Sequence, residues 1–128
     1  MGNPKTYLAL DLGERRIGVA VGNSSARLAR PLATVEIDGS ELNKLARIAE
    51  SEGVQALVIG LPRSLDGKDT AQTKRVRSQA RALDKLGLPI YFQDEAATTV
   101  EAKNRGGSRF GVDAEAARIF LQDFLDGL

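Results

Sequence analysis

Two strand-sized apolar runs open the chain, Tyr7-Leu8-Ala9-Leu10-Asp11-Leu12 and Arg16-Ile17-Gly18-Val19-Ala20-Val21-Gly22, joined through Gly13-Glu14-Arg15-Arg16. A connection of hairpin length makes these strands antiparallel neighbours. Farther along, apolar runs alternate with helical patterns, which predicts parallel strands joined by crossovers. The order reads β-β-β-α-β-α-β-α-α, with strands near 6–12, 16–22, 32–37, 55–60 and 89–93 and helices near 41–52, 69–86, 97–105 and 113–126. The expected class is α/β: a mixed five-stranded sheet, its first three strands antiparallel and its last two parallel, flanked by helices. The 128 residues suit one domain spanning 1–128, long enough to bury roughly 68% of the surface that the unfolded chain exposes.

Local signals support these elements. Ser40 is a candidate N-cap for a first helix carrying Leu42, Leu45, Ala46, Ile48 and Ala49 at helical spacing and stopping at Gly53. The second helix ends at Gly87, with Pro89 beyond. In the second strand Gly18, Ala20 and Gly22 share one face and Ile17, Val19 and Val21 the other. The small face admits close approach, either of a packed helix or of a ligand backbone. Phe120, Leu121, Phe124 and Leu125 form a helical stripe suited to a core or a partner surface.

Asp11 interrupts an otherwise apolar strand, and an ionised carboxylate there is costly to desolvate without a cation, a metal or several donors. Histidine and cysteine are both absent, which excludes an imidazole base, a thiolate nucleophile and the usual zinc ligand sets. Two further acidic positions stand at element boundaries: Asp94-Glu95 after the last strand and Asp113 at the start of the final helix. Each has a local reading, Asp94 and Asp113 as helix caps and Asp11 as a turn residue. In an open α/β sheet, however, the carboxyl ends of the parallel strands share the edge where sites are built. Asp11 and Glu95 belong to that edge, and Asp113 joins them if the last helix begins there. Three converging carboxylates with no histidine or lysine between them repel one another and call for divalent cations, Mg2+ or Mn2+, with Asp94 a further candidate ligand. Two such ions about 4 Å apart would activate water for phosphodiester hydrolysis.

The net charge is +1, so any nucleic-acid contact must come from local clusters. Arg15 and Arg16 form the first turn; Lys74, Arg75, Arg77, Arg81 and Lys85 share a helix; Lys103, Arg105 and Arg109 flank Gly106-Gly107. For any one cluster a solvated helix face or an ordinary polar turn is the favoured reading. The stretch Gly60-Leu61-Pro62-Arg63-Ser64-Leu65-Asp66-Gly67-Lys68-Asp69 links a strand to a helix but is not a P-loop: six residues separate its glycines, and Asp69 stands where a serine or threonine would bind magnesium. Arg63, Ser64 and Lys68 remain candidate phosphate contacts, against an ordinary capped turn. Phe110, beside Arg105 and Arg109, is placed either to stack a base or to staple the last helix. No apolar stretch approaches the ~20 residues needed to cross a bilayer, and the N-terminus lacks the apolar segment of a secretory signal. A cytoplasmic protein without a membrane partner is expected.

The run Leu8-Ala9-Leu10-Asp11-Leu12-Gly13-Glu14-Arg15-Arg16-Ile17-Gly18-Val19-Ala20 resembles the opening signature of the YqgF family, also called RuvX-like, of the ribonuclease H-like superfamily. Arg30-Pro31-Leu32, Val58-Ile59-Gly60-Leu61-Pro62, Leu65-Asp66-Gly67, Asp94-Glu95 and Val112-Asp113-Ala114 with Ala116-Ala117 continue the likeness in order over nearly the whole chain. The resemblance implies a ribonuclease H-like, metal-dependent nuclease that processes the 5′ end of precursor 16S ribosomal RNA, or resolves Holliday junctions as a two-fold dimer. It makes Asp11, Glu95 and Asp113 the catalytic carboxylates. Ala96 stands where the family usually has an arginine, which implies either a weaker hold on substrate or another cation in its place, Arg15, Arg63 or Arg109. A non-catalytic nucleic-acid-binding or ribosome-assembly factor is the other reading of that departure. Asp11-Leu12-Gly13 also resembles the first phosphate motif of the actin and sugar-kinase ATPases, which need two such domains around the nucleotide.

Overall fold

The structure, a computed structural model, describes residues 3–95 and 111–128. Its strands are β1 (Thr6–Leu12), β2 (Arg16–Asn23), β3 (Ala29–Glu36), β4 (Ala56–Leu61) and β5 (Ile90–Asp94). They form one sheet in the order β3-β2-β1-β4-β5. The β1/β2 and β2/β3 pairs are antiparallel and the β1/β4 and β4/β5 pairs parallel, as the connection lengths predict. The helices are α1 (Glu41–Ser51), α2 (Ala71–Ala82) and α3 (Val112–Asp126). The helix expected at 97–105 lies outside the described residues, as do Lys103, Arg105, Arg109 and Phe110.

Side-chain size differs between the faces of the sheet, and this positions the site. Leu8, Leu10, Leu12, Ile17, Val19, Val21, Leu57, Ile59 and Leu61 point to one face, where they cluster with Leu45 and Ala49 of α1 and Val76 and Ala80 of α2. The alternate residues Tyr7, Ala9, Ala20, Ala56 and Val58 face α3 and pack on Ala117, Phe120, Leu121 and Leu125. Small residues on that face let α3 lie close to the strands. A Cβ on Gly22 would fall 2.9 Å from the Leu125 side chain, and one on Gly60 would fall 2.6 Å from the Phe120 ring. The narrow face of β2 therefore receives a helix, and the Phe120 stripe is core. Phe124 is partly buried and meets Tyr7 and Tyr91 edge-on or tilted, with ring centroids 5.1 and 5.7 Å away.

Three boundaries depart from expectation. β3 begins at Ala29, earlier than the start near 32, and carries Pro31 opposite Ala20 beside a register shift. An edge strand with an irregularity tolerates a residue that lacks an N–H, so the proline does not mark the strand's start. The second helix ends sooner than 86: Leu83–Leu86 tighten into a 3-10 turn that Gly87 closes at φ 71°. It also begins later than 69, because the Thr70 hydroxyl accepts from the Thr73 amide at 3.3 Å and the Thr73 hydroxyl accepts from the Thr70 amide at 2.9 Å, a reciprocal cap. Finally, α3 is capped by Gly111 at φ 93°, not by Asp113, which lies within the first turn. Ser40 does cap α1 by position, but its amide turns back to the Asp38 carboxylate at 2.9 Å.

Candidate active site

Asp11 follows Tyr7 and Ala9 on the α3 face of β1, near the strand's carboxyl end, and is 5% exposed. Its antiparallel partner in β2 is Gly18, which in turn pairs with Thr34 of β3. On the other side the β1/β4 register reaches Leu10 opposite Ile59, so the next step brings Asp11 level with Gly60. Gly60, Asp11, Gly18 and Thr34 thus form a row across four strands near the carboxyl ends of β1 and β4. Both flanking acids reach this row through its glycines. A Cβ on Gly60 would lie 2.9 Å from Glu95 Oε1, and one on Gly18 would lie 2.0 Å from the Asp113 carbonyl oxygen. The Glu95 amide donates to the Leu61 carbonyl at 3.0 Å, fixing where its side chain departs. Gly111 stands over Thr34, whose Oγ1 would be 2.9 Å from a Cβ there. The three candidate carboxylates therefore come from elements that meet on one face of one sheet edge.

The electrostatics of the row are not those of three mutually repelling acids. Asp113 Oδ2 lies 3.4 Å from Arg16 Nε, so an arginine expected to contact nucleic acid neutralises a candidate ligand instead. The N-terminus of α3 also turns its positive dipole end toward the row. Among the described residues no group of three or more acidic side chains is arranged to hold a metal ion. The donor set still fits a hard divalent cation, because Asp11 and Glu95 offer only carboxylate oxygens at a shared edge and α3 begins over the same row, with the Asp113 carboxylate turned to Arg16.

Other expected residues are distributed around this edge. Asp94 does not turn into the row; its side chain is 62% exposed and lies 3.5 Å from Arg63. Arg63 also reaches Asp69 at 3.3 Å, and Asp69 is shared with Arg77. These contacts tie the loop after β4 to the end of β5, making Arg63 a brace between them. The loop is a small closed turn, with an isolated bridge between Arg63 and Asp69 and the Ser64 amide donating to the Lys68 carbonyl at 3.0 Å. Within it the Ser64 hydroxyl, followed by the Lys68 amide, holds the Asp66 carboxyl below its usual pKa. Lys68 projects from this turn with an 82% exposed side chain, and Arg15 is exposed on the first hairpin.

A family model described as "RuvX: Holliday junction resolvase" matches residues 5–127. The chain belongs to the RuvX family. It is 40% identical over 134 residues to the "Putative pre-16S rRNA nuclease" of Paraburkholderia phymatum, a match that covers 99% of this chain and 89% of that protein. The protein of the same name from Bordetella parapertussis is 35% identical over 127 residues, 97% of this chain and 96% of the relative. Among solved structures, Thermus thermophilus RuvC in complex with a Holliday junction substrate superposes with a TM-score of 0.58 at 14% identity, over 96% of this chain and 94% of that one. That likeness concerns the fold, which is the ribonuclease H-like one. RuvX membership makes the chain a nuclease, a hydrolase of phosphodiester bonds.

Within this RuvX fold, some site residues are not apparent from residue type alone. Gly60 is the seat of the Glu95 carboxylate, a role that its place in the strand-to-helix stretch does not signal. Thr34 carries no signal beyond an ordinary strand threonine. The pairing of Arg16 with Asp113 joins opposite ends of the chain, so no local spacing reveals it.

Proposed function

We propose that the protein is a divalent-metal-dependent nuclease of the cytoplasm, a single domain over 1–128, that processes the 5′ end of precursor 16S ribosomal RNA. The observation that carries this reading is the row Gly60, Asp11, Gly18, Thr34, over which Glu95 and the first turn of α3 close from two sides. The names of the 35–40% identical relatives supply the substrate. Asp11 and Glu95 would hold the cations, and Asp113 would join them when its carboxylate leaves Arg16. Two magnesium or manganese ions bound there would supply an activated water and take up charge building on the scissile phosphate. Arg15 and Lys68 are exposed and suited to backbone phosphates, while Arg63 braces the loop that carries Lys68. Arg105, Arg109 and Phe110 complete the proposed nucleic-acid contacts.

The family description favours a second reading, resolution of four-way DNA junctions by a two-fold dimer that supplies two active sites. A cleavage panel of precursor 16S RNA, single-stranded RNA and four-way junctions, in magnesium and in manganese, separates the two. The first reading expects specific cuts in the precursor and intact junctions. Paired symmetrical nicks in the junction with no cut in the precursor would replace it by the second.

A further inference from the structure

Arg16 and Asp113 are both anchored through their backbones and joined only through their side chains. The Gly13 amide donates to the Arg16 carbonyl at 2.9 Å and the Ile37 amide to the Arg15 carbonyl at 2.8 Å, while Gln79 Nε2 of α2 donates to the Gly13 carbonyl at 2.8 Å. The hairpin is therefore tied to both β3 and α2. Asp113 is fixed by the seat of α3 on Gly18. Between these two anchors the ion pair spans 3.4 Å, with the arginine side chain 56% exposed and the aspartate 23% exposed. Such a pair is weak and screened, so either partner exchanges readily. Of the neighbouring acids among the described residues, Glu115 pairs with Arg118 on α3, and Glu36 stands opposite Arg16 in the β2/β3 register without an ion pair to it.

We propose that Arg16 and Asp113 form an exchangeable ion pair that couples cation binding to nucleic-acid binding: a cation takes the Asp113 carboxylate and frees Arg16 for a backbone phosphate. Arg16 cannot give its guanidinium fully to both the carboxylate and a phosphate, and Asp113 cannot give its oxygens fully to both Arg16 and a cation. Each ligand therefore releases the group that the other needs, and linkage makes the effect reciprocal. Arg16 is a binding residue in this scheme, and it acts on the metal site only through Asp113. The inference rests on the proposed metal site, but its sharpest test needs no metal.

The test is a double-mutant cycle in EDTA, measuring binding of a fluorescein-labelled RNA hairpin with a single-stranded 5′ extension to wild type, Arg16→Gln, Asp113→Asn and the double variant. Each protein is first shown by thermal unfolding to be folded. Asp113→Asn should tighten binding about two- to five-fold in the wild-type background, the range an exposed ion pair sustains. In the Arg16→Gln background the gain should disappear. An equal gain in both backgrounds would show a general charge effect and overturn the exchange. A companion calorimetric titration with manganese and no RNA should find Arg16→Gln binding the ion about two- to five-fold more tightly than wild type; equal or weaker binding overturns the exchange. If wild type itself takes up no manganese, the metal reading fails and the coupling fails with it, whereas an equal gain in the cycle with manganese uptake intact removes the coupling alone.

Discussion

Changing Asp11 to Asn is expected to lower single-turnover cleavage by at least about 10²-fold, the upper end of what losing a mere supporting contact to a metal ligand costs, while the protein still folds. Asn keeps the shape of the side chain and one carbonyl oxygen but removes the charge that a cation would need. Asp11 is 5% exposed, and Asn matches its volume, so the packing around the end of β1 is kept. Thermal unfolding in EDTA should therefore stay cooperative. Full cleavage by a folded Asp11→Asn variant would remove Asp11 from the chemistry.

Gly18→Ala is expected to destabilise the fold at the top of or beyond the ~1–3 kcal/mol typical of overpacking. The new Cβ would fall 2.0 Å from the carbonyl oxygen and 2.1 Å from the carbonyl carbon of Asp113, and backbone cannot rotate away as a side chain does. Either α3 lifts off β2 or the strand shifts, and both displace Asp113 from the row that holds Asp11. Gly127→Ala is the matched control, since its Cβ would meet neighbours at an ordinary 3.6 Å. Urea denaturation should show a large loss for Gly18→Ala and little change for Gly127→Ala. Equal stability of the two would contradict the close seat of α3.

Much of this arrangement is legible in the sequence because it follows from alternation. Side chains that alternate along β1 and β2 put Asp11 on the same face as Gly18, Ala20 and Gly22, so hairpin pairing alone gives a carboxylate and a helix-sized recess the same side of the sheet. The parallel pairing of β1 with β4 and β4 with β5 then brings Glu95 to the same edge. The electrostatic partners are less legible, since they depend on contacts between segments distant in sequence. Arg16 reads as a solvated turn arginine and Asp94 as a cap or ligand, yet the first pairs with Asp113 and the second with Arg63. Asp113 reads as an N-cap because aspartate favours that position, but Gly111, with φ 93°, takes the cap and leaves Asp113 inside the first turn. The third strand, expected from about 32, begins at Ala29 and takes in Pro31 on the sheet edge.

Calorimetric titration of manganese into the metal-free protein tests the central claim most directly, with wild type, Asp11→Asn and Glu95→Gln compared side by side. The carboxylate row predicts uptake of manganese by wild type and its loss or marked weakening in both variants, each still folded. Uptake by all three proteins with the same affinity and stoichiometry would contradict the assignment of Asp11 and Glu95 as the residues that hold the metal.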